Sequence, residues 1–148
     1  MLGKDFREFV SLLNAHRVDY LVVGAYAVGA HGHPRYTGDL DVWVRPSPDN
    51  AARVVSALNE FGFASFKLKP EDFSRPGRIL QMGYPPRRID LMTSIEAVTF
   101  DTAYPKRLAV ELDGLPVNFI GLEDLKLNKK AAGRPKDLID YDELSGSS

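Results

Sequence analysis

Cysteine is absent from the 148-residue sequence, which excludes disulfide bonds and a cysteine nucleophile. A reducing compartment suits such a chain best, so we expect a cytoplasmic protein. A long apolar stretch is also missing, because the longest run, residues 20–30, falls well short of the roughly 20 residues that span a bilayer. The first residues interleave charged and apolar side chains, unlike a signal peptide. We therefore expect neither export nor a membrane partner.

An excess of charge of one sign is lacking too, since 19 Lys and Arg oppose 20 Asp and Glu. This balance carries no global signal for nucleic-acid or membrane binding, so any such signal must be local. With 44% hydrophobic and 26% charged residues, the composition is that of a globular protein. The length predicts one domain over residues 1–144, followed by a flexible tail over residues 145–148.

Apolar periodicity alternates between the helical and the strand period along the chain, which predicts an α/β (α+β) fold with a mixed β-sheet. The strand predicted over residues 39–44 alternates polar and apolar side chains and should be half exposed. Residues 64–77 carry no clear pattern. The predicted helices cover residues 2–15, 25–30, 47–61, 122–132 and 135–144, with a short one within 93–104, and the predicted strands cover 18–23, 39–44, 78–82, 88–92, 109–112 and 115–120.

Two aspartates, Asp39 and Asp41, stand two residues apart in one predicted strand. This spacing places both carboxylates on the same face with Cα atoms about 6.6 Å apart, close enough to share divalent ions. Carboxylate oxygens suit Mg²⁺ or Mn²⁺, and two such ions can activate an attacking hydroxyl and neutralise a leaving phosphate. Taken alone, however, such a pair is more often part of a solvated strand face.

Two further features give the acidic pair a context. Gly24 ends a predicted strand and begins a helix, where the N–H groups of Gly24 and Ala25 could bind phosphate; a tight turn without a ligand explains the glycine equally well. Asp90 lies on another alternating strand, and it completes a set of three acids if that strand pairs beside Asp41. Three like charges repel one another, so a metal ion would relieve the repulsion. An ordinary exposed acid is the alternative for Asp90.

These residues, in this order, resemble the signature of the DNA polymerase beta superfamily of nucleotidyltransferases, and more narrowly its minimal prokaryotic branch, close to abortive-infection toxin nucleotidyltransferases. The resemblance implies the nucleotidyltransferase fold, a mixed twisted β-sheet with helices packed on it. It also implies metal binding by Asp39, Asp41 and Asp90. The segments that carry it are Val23-Gly24-Ala25-Tyr26-Ala27, Arg35-Tyr36-Thr37-Gly38-Asp39-Leu40-Asp41-Val42-Trp43, Ile89-Asp90-Leu91 and Asn128-Lys129-Lys130-Ala131-Ala132-Gly133-Arg134-Pro135-Lys136-Asp137.

The same resemblance implies where a nucleotide binds. Ala25 stands where the family often has Ser or a second Gly, so a hydroxyl that would bond to phosphate is missing, and Arg35 or Thr37 could compensate. The acid-free segment 126–136 carries five Lys and Arg side chains that could contact a triphosphate or an RNA backbone; a solvated helix face is the alternative. The residues implied for nucleotide binding are Gly24, Ala25, Arg35, Thr37, Lys130, Arg134 and Asp137.

Two other features concern the base and the acceptor. Tyr36 and Trp43 could stack on a base, although aromatic residues more often cover a core edge. A second acid-free basic set could guide an extended acceptor, although surface solubility explains it equally well. That set comprises Arg75, Arg78, Arg87 and Arg88.

The sequence therefore predicts an Mg²⁺- or Mn²⁺-dependent enzyme that transfers a nucleoside monophosphate from a nucleoside triphosphate to a hydroxyl of RNA, protein or a small molecule. The resemblance extends this expectation to a toxin with an antitoxin partner. The alternative is a catalytically weakened module of the same fold that binds a nucleotide or a partner. A metal-dependent phosphohydrolase is the third hypothesis, because carboxylate-bound metals also activate water.

Overall fold

The structure is a computed structural model that describes residues 2–35, 37–84 and 87–146. Tyr36, for which base stacking and core packing are the two possibilities, lies outside the described residues, as do the last two residues of the predicted tail. The helices are α1 (Lys4–Ala15), α2 (Gly24–Ala30), α3 (Pro48–Leu58), α4 (Phe100–Ala103), α5 (Leu122–Ala132) and α6 (Pro135–Leu144). The strands are β1 (Tyr20–Val23), β2 (Leu40–Val44), β3 (Ile79–Met82), β4 (Ile89–Met92), β5 (Leu108–Leu112) and β6 (Leu115–Phe119).

The six strands form one mixed sheet in the order β3-β4-β2-β1-β6-β5. The pairs β2–β4 and β1–β6 are parallel, whereas β1–β2, β3–β4 and β5–β6 are antiparallel. This confirms the predicted fold class, an α/β fold with a mixed sheet. Within the described ranges, no helix has the length and apolar character needed to cross a membrane.

The helices begin, end and pack for reasons that are visible in the sequence. Helix α1 buries Phe6, Phe9, Val10 and Leu13, which recur at helical spacing and therefore form one apolar face. Helix α3 follows Ser47, whose hydroxyl accepts a hydrogen bond from the backbone N–H of Asn50, and it has Pro48 in its first turn. Gly133 ends α5 with a φ of +69°, a left-handed conformation that glycine adopts without strain.

Strand β2 differs from its prediction of a half-exposed strand, because four of its five residues are buried and only Asp41 is partly exposed. Trp43 is only 1% exposed and packs edge-on against Phe100, with ring centroids 5.0 Å apart. Of the two possibilities for Trp43, packing in the core is therefore the correct one, and its ring is not available to stack on a base.

The segment after α3 also differs from the sequence pattern. The α-helix ends at Leu58 rather than at residue 61, and a wider turn, Asn59–Phe63, follows it. Gly62 in that turn has a φ of +117° and interrupts the helical geometry. Short 3-10 turns occupy Ala64–Phe66, Pro70–Asp72 and, later in the chain, Tyr104–Lys106.

Candidate active site

The sheet places two of the predicted acids side by side. Strands β2 and β4 run parallel with Asp41 opposite Asp90, so the condition under which Asp90 joins the two other acids is met. Neighbouring strands lie about 4.8 Å apart, and residues in register present their side chains on the same face. Asp39 precedes β2 and shares the face of Asp41, two residues away. Asp39, Asp41 and Asp90 are called the acid cluster below.

The glycine turn between β1 and α2 touches the acid cluster. Gly24 has a φ of +70°, and a Cβ atom built on it would overlap Oδ2 of Asp41. Only glycine fits here without movement, because both the backbone conformation and the space exclude a side chain. The close approach of a carboxylate thus explains this glycine more directly than a phosphate-binding helix terminus does, since α2 has only seven residues.

Arg88 is the cation that contacts the acid cluster. Its Nε atom lies 2.9 Å from Oδ1 of Asp90, and its Nη2 atom lies 3.2 Å from Oδ2 of Asp90 and 3.4 Å from Oδ2 of Asp39. Asp41 forms no hydrogen bond or ion pair with any described residue. Burial, together with the negative charges of Asp90 and Asp39, raises the pKa of Asp41 to about 6. The acid cluster therefore holds more negative charge than its surroundings neutralise.

The donor atoms of the acid cluster are of the type that binds a divalent cation, although the described residues contain no group of three or more His, Asp or Glu side chains arranged to hold a metal ion. Oδ1 of Asp90 is buried and forms an ion pair with Nε of Arg88 at 2.9 Å. Asp41, in contrast, has no ion-pair partner among the described residues. Carboxylate oxygens are the donors that Mg²⁺ and Mn²⁺ prefer. Metal binding by Asp39, Asp41 and Asp90 stays a prediction that this donor set supports.

A cavity of about 690 Å³ opens over the acid cluster. Lys130 does not line it, because its Nζ atom lies over the ring of Tyr141, 5.6 Å from the centroid. Lys129 and Lys136 line it instead. The predicted site residues that the cavity brings together are Gly24, Ala25, Arg35, Thr37, Asp39, Asp41, Asp90, Arg134 and Asp137.

One side of the cavity is built on buried ion pairs between α5, α6 and the segment before β2. Nζ of Lys129 lies 3.3 Å from Oδ1 of Asp137 and 2.9 Å from Oδ2 of Asp140. Arg35 donates two hydrogen bonds to Asp140, at 2.5 and 2.9 Å, and Nε of Arg134 donates one to Asp137, at 2.6 Å. These five residues are called the ion-pair network below. Each of its two carboxylates is thus paired with two cations.

The pKa of Asp137 reflects this pairing. Its side chain is only 1% exposed, and burial alone would raise its pKa. Hydrogen bonds and charges from Arg134 and Lys129 outweigh burial and hold the pKa below its ordinary value. Asp137 is therefore ionised and fully engaged within the protein, which makes it a poor candidate for a general base.

The sequence prediction missed two members of the ion-pair network, Lys129 and Asp140. A signal for Lys129 exists, because it lies one helical turn after Leu125 on the buried face of α5, where a lysine needs a counter-charge. Asp140 follows Asp137 by three residues and shares its helix face. Neither position stands out without knowledge of what faces it across the helix pair.

The fold resembles solved nucleotidyltransferase structures. The antibiotic-resistance factor ANT(2'')-Ia superposes with a TM-score of 0.61 at 13% identity, over 97% of this chain and 82% of that chain. The lincosamide antibiotic adenylyltransferase LnuA, with lincomycin bound, gives a TM-score of 0.59 at 11% identity, over 100% of this chain and 99% of that chain. A candidate nucleotidyltransferase of Thermotoga maritima gives a TM-score of 0.59 at 14% identity, over 96% of this chain and 91% of that chain. At such identities the likeness shows the fold alone.

No curated protein matches the chain in sequence. One family, described as "Nucleotidyltransferase of unknown function (DUF6036)", matches residues 4–145. The matched stretch contains the glycine turn, the acid cluster and the ion-pair network. The chain belongs to this nucleotidyltransferase family.

Proposed function

We propose that this protein transfers a nucleoside monophosphate from a nucleoside triphosphate to a hydroxyl group and releases pyrophosphate. The observation that carries the proposal is the contact of Gly24 with Asp41, beside Asp90, in a cavity that is also lined by the cations Arg134 and Lys136. In the reaction the acceptor oxygen bonds to the α-phosphorus, and the bond from that phosphorus to the oxygen of the β-phosphate breaks. The hydroxyl proton passes to solvent, and pyrophosphate leaves with the electron pair of the broken bond.

Asp39, Asp41 and Asp90 are the residues that would hold Mg²⁺ or Mn²⁺. When bound, the metal would supply charge neutralisation at the triphosphate and would favour ionisation of the acceptor hydroxyl. The carboxylate of Asp41, which has no ion-pair partner among the described residues and lies opposite Asp90, supports this assignment. With a pKa near 6, Asp41 is mostly ionised at neutral pH, as a metal ligand must be.

The cations of the cavity bind and orient the triphosphate in this proposal. Arg134 is anchored on Asp137 by Nε, yet its side chain is 64% exposed and so keeps donors available. Arg35 is held by Asp140 and lines the same cavity. Fixed cations aimed at a phosphate chain stabilise charge without reorganising during the reaction. Positioning together with electrostatic stabilisation would supply most of the rate enhancement.

A second candidate function is a nucleotide-binding module that has lost turnover. Two observations favour it: Ala25 lines the cavity without the hydroxyl that would bond to phosphate, and Arg88 contacts two of the three acids. This candidate predicts nucleotide binding without release of pyrophosphate. Release with any triphosphate and acceptor would exclude it.

The test incubates the protein with each α-labelled triphosphate and Mg²⁺ or Mn²⁺ in the presence of separated cellular RNA, protein and small-molecule fractions. Label should appear in one fraction together with stoichiometric pyrophosphate. Free nucleoside monophosphate without a labelled acceptor would instead indicate a phosphohydrolase. For the predicted toxin role, expression of the wild type should arrest growth, whereas expression of Asp41→Asn should not. Absence of both label and pyrophosphate under every condition contradicts the proposed function.

A further inference from the structure

We infer that the β3–β4 hairpin is a docking surface for a single-stranded RNA end, which would be the acceptor of the transfer. This inference rests on the proposed function for the chemistry, but the docking itself is a binding property that can be measured without turnover. The surface comprises Arg75, Arg78, Ile79, Tyr84 and Arg87, and it is called the hairpin surface below.

The arginines of the hairpin surface lack partners, in contrast to most arginines of the chain. Only four arginine side chains make no hydrogen bond, ion pair or ring contact with any described residue, and three of them are Arg75, Arg78 and Arg87; the fourth is Arg17. All three hairpin arginines are exposed. Residues 73–89 contain no Asp or Glu, so this stretch is locally basic in a chain of net charge −1. An unpaired basic surface complements a polyanion.

The backbone holds this basic surface in a defined place beside the catalytic cavity. Strand β3 is the edge strand of the sheet and pairs with β4, which carries Asp90. The backbone N–H of Arg78 donates to Oγ1 of Thr93 at 2.9 Å, and the backbone N–H of Arg87 donates to the carbonyl of Tyr84 at 2.9 Å. Arg78 directly precedes β3, whose four residues span about 13 Å, and Tyr84 and Arg87 lie at the opposite end of the hairpin. Positive charge therefore lies at both ends of the edge strand, which suits an extended ligand.

Two exposed apolar side chains give the hairpin surface the second property that single-stranded RNA needs. Tyr84 is 87% exposed, and Ile79 is 62% exposed although it lines the catalytic cavity. Unstacked bases bind aromatic side chains by stacking, while arginines bind the backbone phosphates. An acidic protein would match the arginines but would leave Tyr84 without a function. RNA also carries the free hydroxyl groups that the proposed transfer requires.

The test measures fluorescence anisotropy of a labelled single-stranded oligoribonucleotide of about 12 nucleotides with the wild type and two triple variants. The first variant replaces Arg75, Arg78 and Arg87 by Gln. The second replaces the exposed cations Lys4, Arg17 and Arg107 by Gln and thus removes the same charge elsewhere. We expect the first to bind the RNA at least about tenfold more weakly and to reduce the slope of log affinity against log salt by about 2. The second should lose less than about twofold.

Tyr84 supplies a test that does not depend on charge. Tyr84→Ala should weaken RNA binding at least about fivefold, whereas Tyr84→Phe should restore it, because stacking needs the ring and not the hydroxyl. Binding of a non-hydrolysable nucleoside triphosphate should be the same in all of these variants.

Three results would overturn the inference while leaving the proposed function intact. One is equal loss of RNA affinity in the two triple variants. Another is transfer of label to the protein or small-molecule fraction with RNA unlabelled. The third is self-association of the first variant with unchanged RNA affinity, which would mean that the arginines only protect an exposed strand edge. Failure of the proposed function differs from all three, because it is the absence of pyrophosphate and label with every acceptor.

Discussion

The acid cluster and the ion-pair network line the same cavity, yet they differ in how far their carboxylates are neutralised by cations. In the network, Asp137 contacts Lys129 and Arg134, and Asp140 contacts Lys129 and Arg35. In the acid cluster, the contacts to Arg88 leave Asp41 unpaired. The pKa values follow this difference, since the pKa of Asp137 is lowered and that of Asp41 is raised.

The difference indicates which acids belong to the protein's framework and which await a ligand. Buried carboxylates are costly unless they are paired, so a paired set is complete in itself and holds its neighbours in place. An unpaired acid in a cavity carries a negative charge that a bound cation can neutralise. Asp137, which sequence resemblance groups with the nucleotide-binding residues, belongs by its contacts to the framework.

The largest expected effect comes from removing the charge of Asp41. Asp41→Asn should lower nucleotidyl transfer by more than about 100-fold, because it removes a proposed metal ligand at the reacting phosphate. The measurement is the initial rate of pyrophosphate release at saturating triphosphate. Asp49→Asn, which changes an exposed acid in the first turn of α3, is the matched control and should retain full activity. Equal rates in the two variants would place the chemistry elsewhere.

Two adjacent lysines provide the test of the ion-pair network. Lys129→Met should lower the free energy of unfolding by about 3 kcal/mol, because it removes the cation that Asp137 and Asp140 share within the protein. Lys130→Met should change it by less than about 0.5 kcal/mol, since that side chain is exposed and only overlies Tyr141. Urea titration of both variants checks the difference. A similar loss of unfolding free energy in the two variants would show that the ion pairs of Lys129 do not stabilise the fold.

Local patterns in the sequence predict most of the fold. The apolar stripe of α1, the cap at Ser47 and the turn at Asp113-Gly114 are local signals in the sequence. Each one coincides with a helix face, a helix start or a turn of the structure. The pairing of Asp41 with Asp90 was conditional on strand order, which the sequence alone does not dictate. Residues 64–77 had no pattern to interpret, and they form short turns in the structure.

Helix α6 shows why hydrophobic periodicity does not predict the ion-pair network. Apolar residues are expected inside, yet Leu138 and Ile139 are 44% and 58% exposed, while Asp137 and Asp140 are buried. Over the first two turns, the cations opposite this helix determine its inward face, and the apolar Leu144 is buried only at its end. Because Arg35 is 105 residues from Asp140 and Lys129 lies on a different helix from the acids, periodicity within α6 cannot pair these cations with its acids.

The pH dependence of stability gives a smaller test on the acid cluster. The raised pKa of Asp41 means that the folded protein holds this proton up to about pH 6, whereas the unfolded chain releases it near 3.8. The free energy of unfolding of the wild type therefore falls relative to that of Asp41→Asn as pH rises from about 4 to 6. Above pH 6 the loss stays constant at about 2 to 3 kcal/mol. Thermal unfolding of both proteins in a metal chelator between pH 4 and 8 measures it. A gap independent of pH would mean that Asp41 titrates normally.

The smallest expected effect compares two glycines with nearly equal backbone angles. Gly24 and Gly133 have φ values of +70° and +69°, so replacement by Ala strains both backbones alike, at about 1 kcal/mol. Only at Gly24 would the new Cβ atom overlap Oδ2 of Asp41, which must then rotate away. Gly24→Ala should therefore cost about 1 kcal/mol more than Gly133→Ala in urea unfolding and should also lower transfer. In an Asp41→Ala background the extra cost should disappear, because the overlapping carboxylate is gone. If it persisted, the need for glycine would arise from the turn itself and not from its contact with the acid cluster.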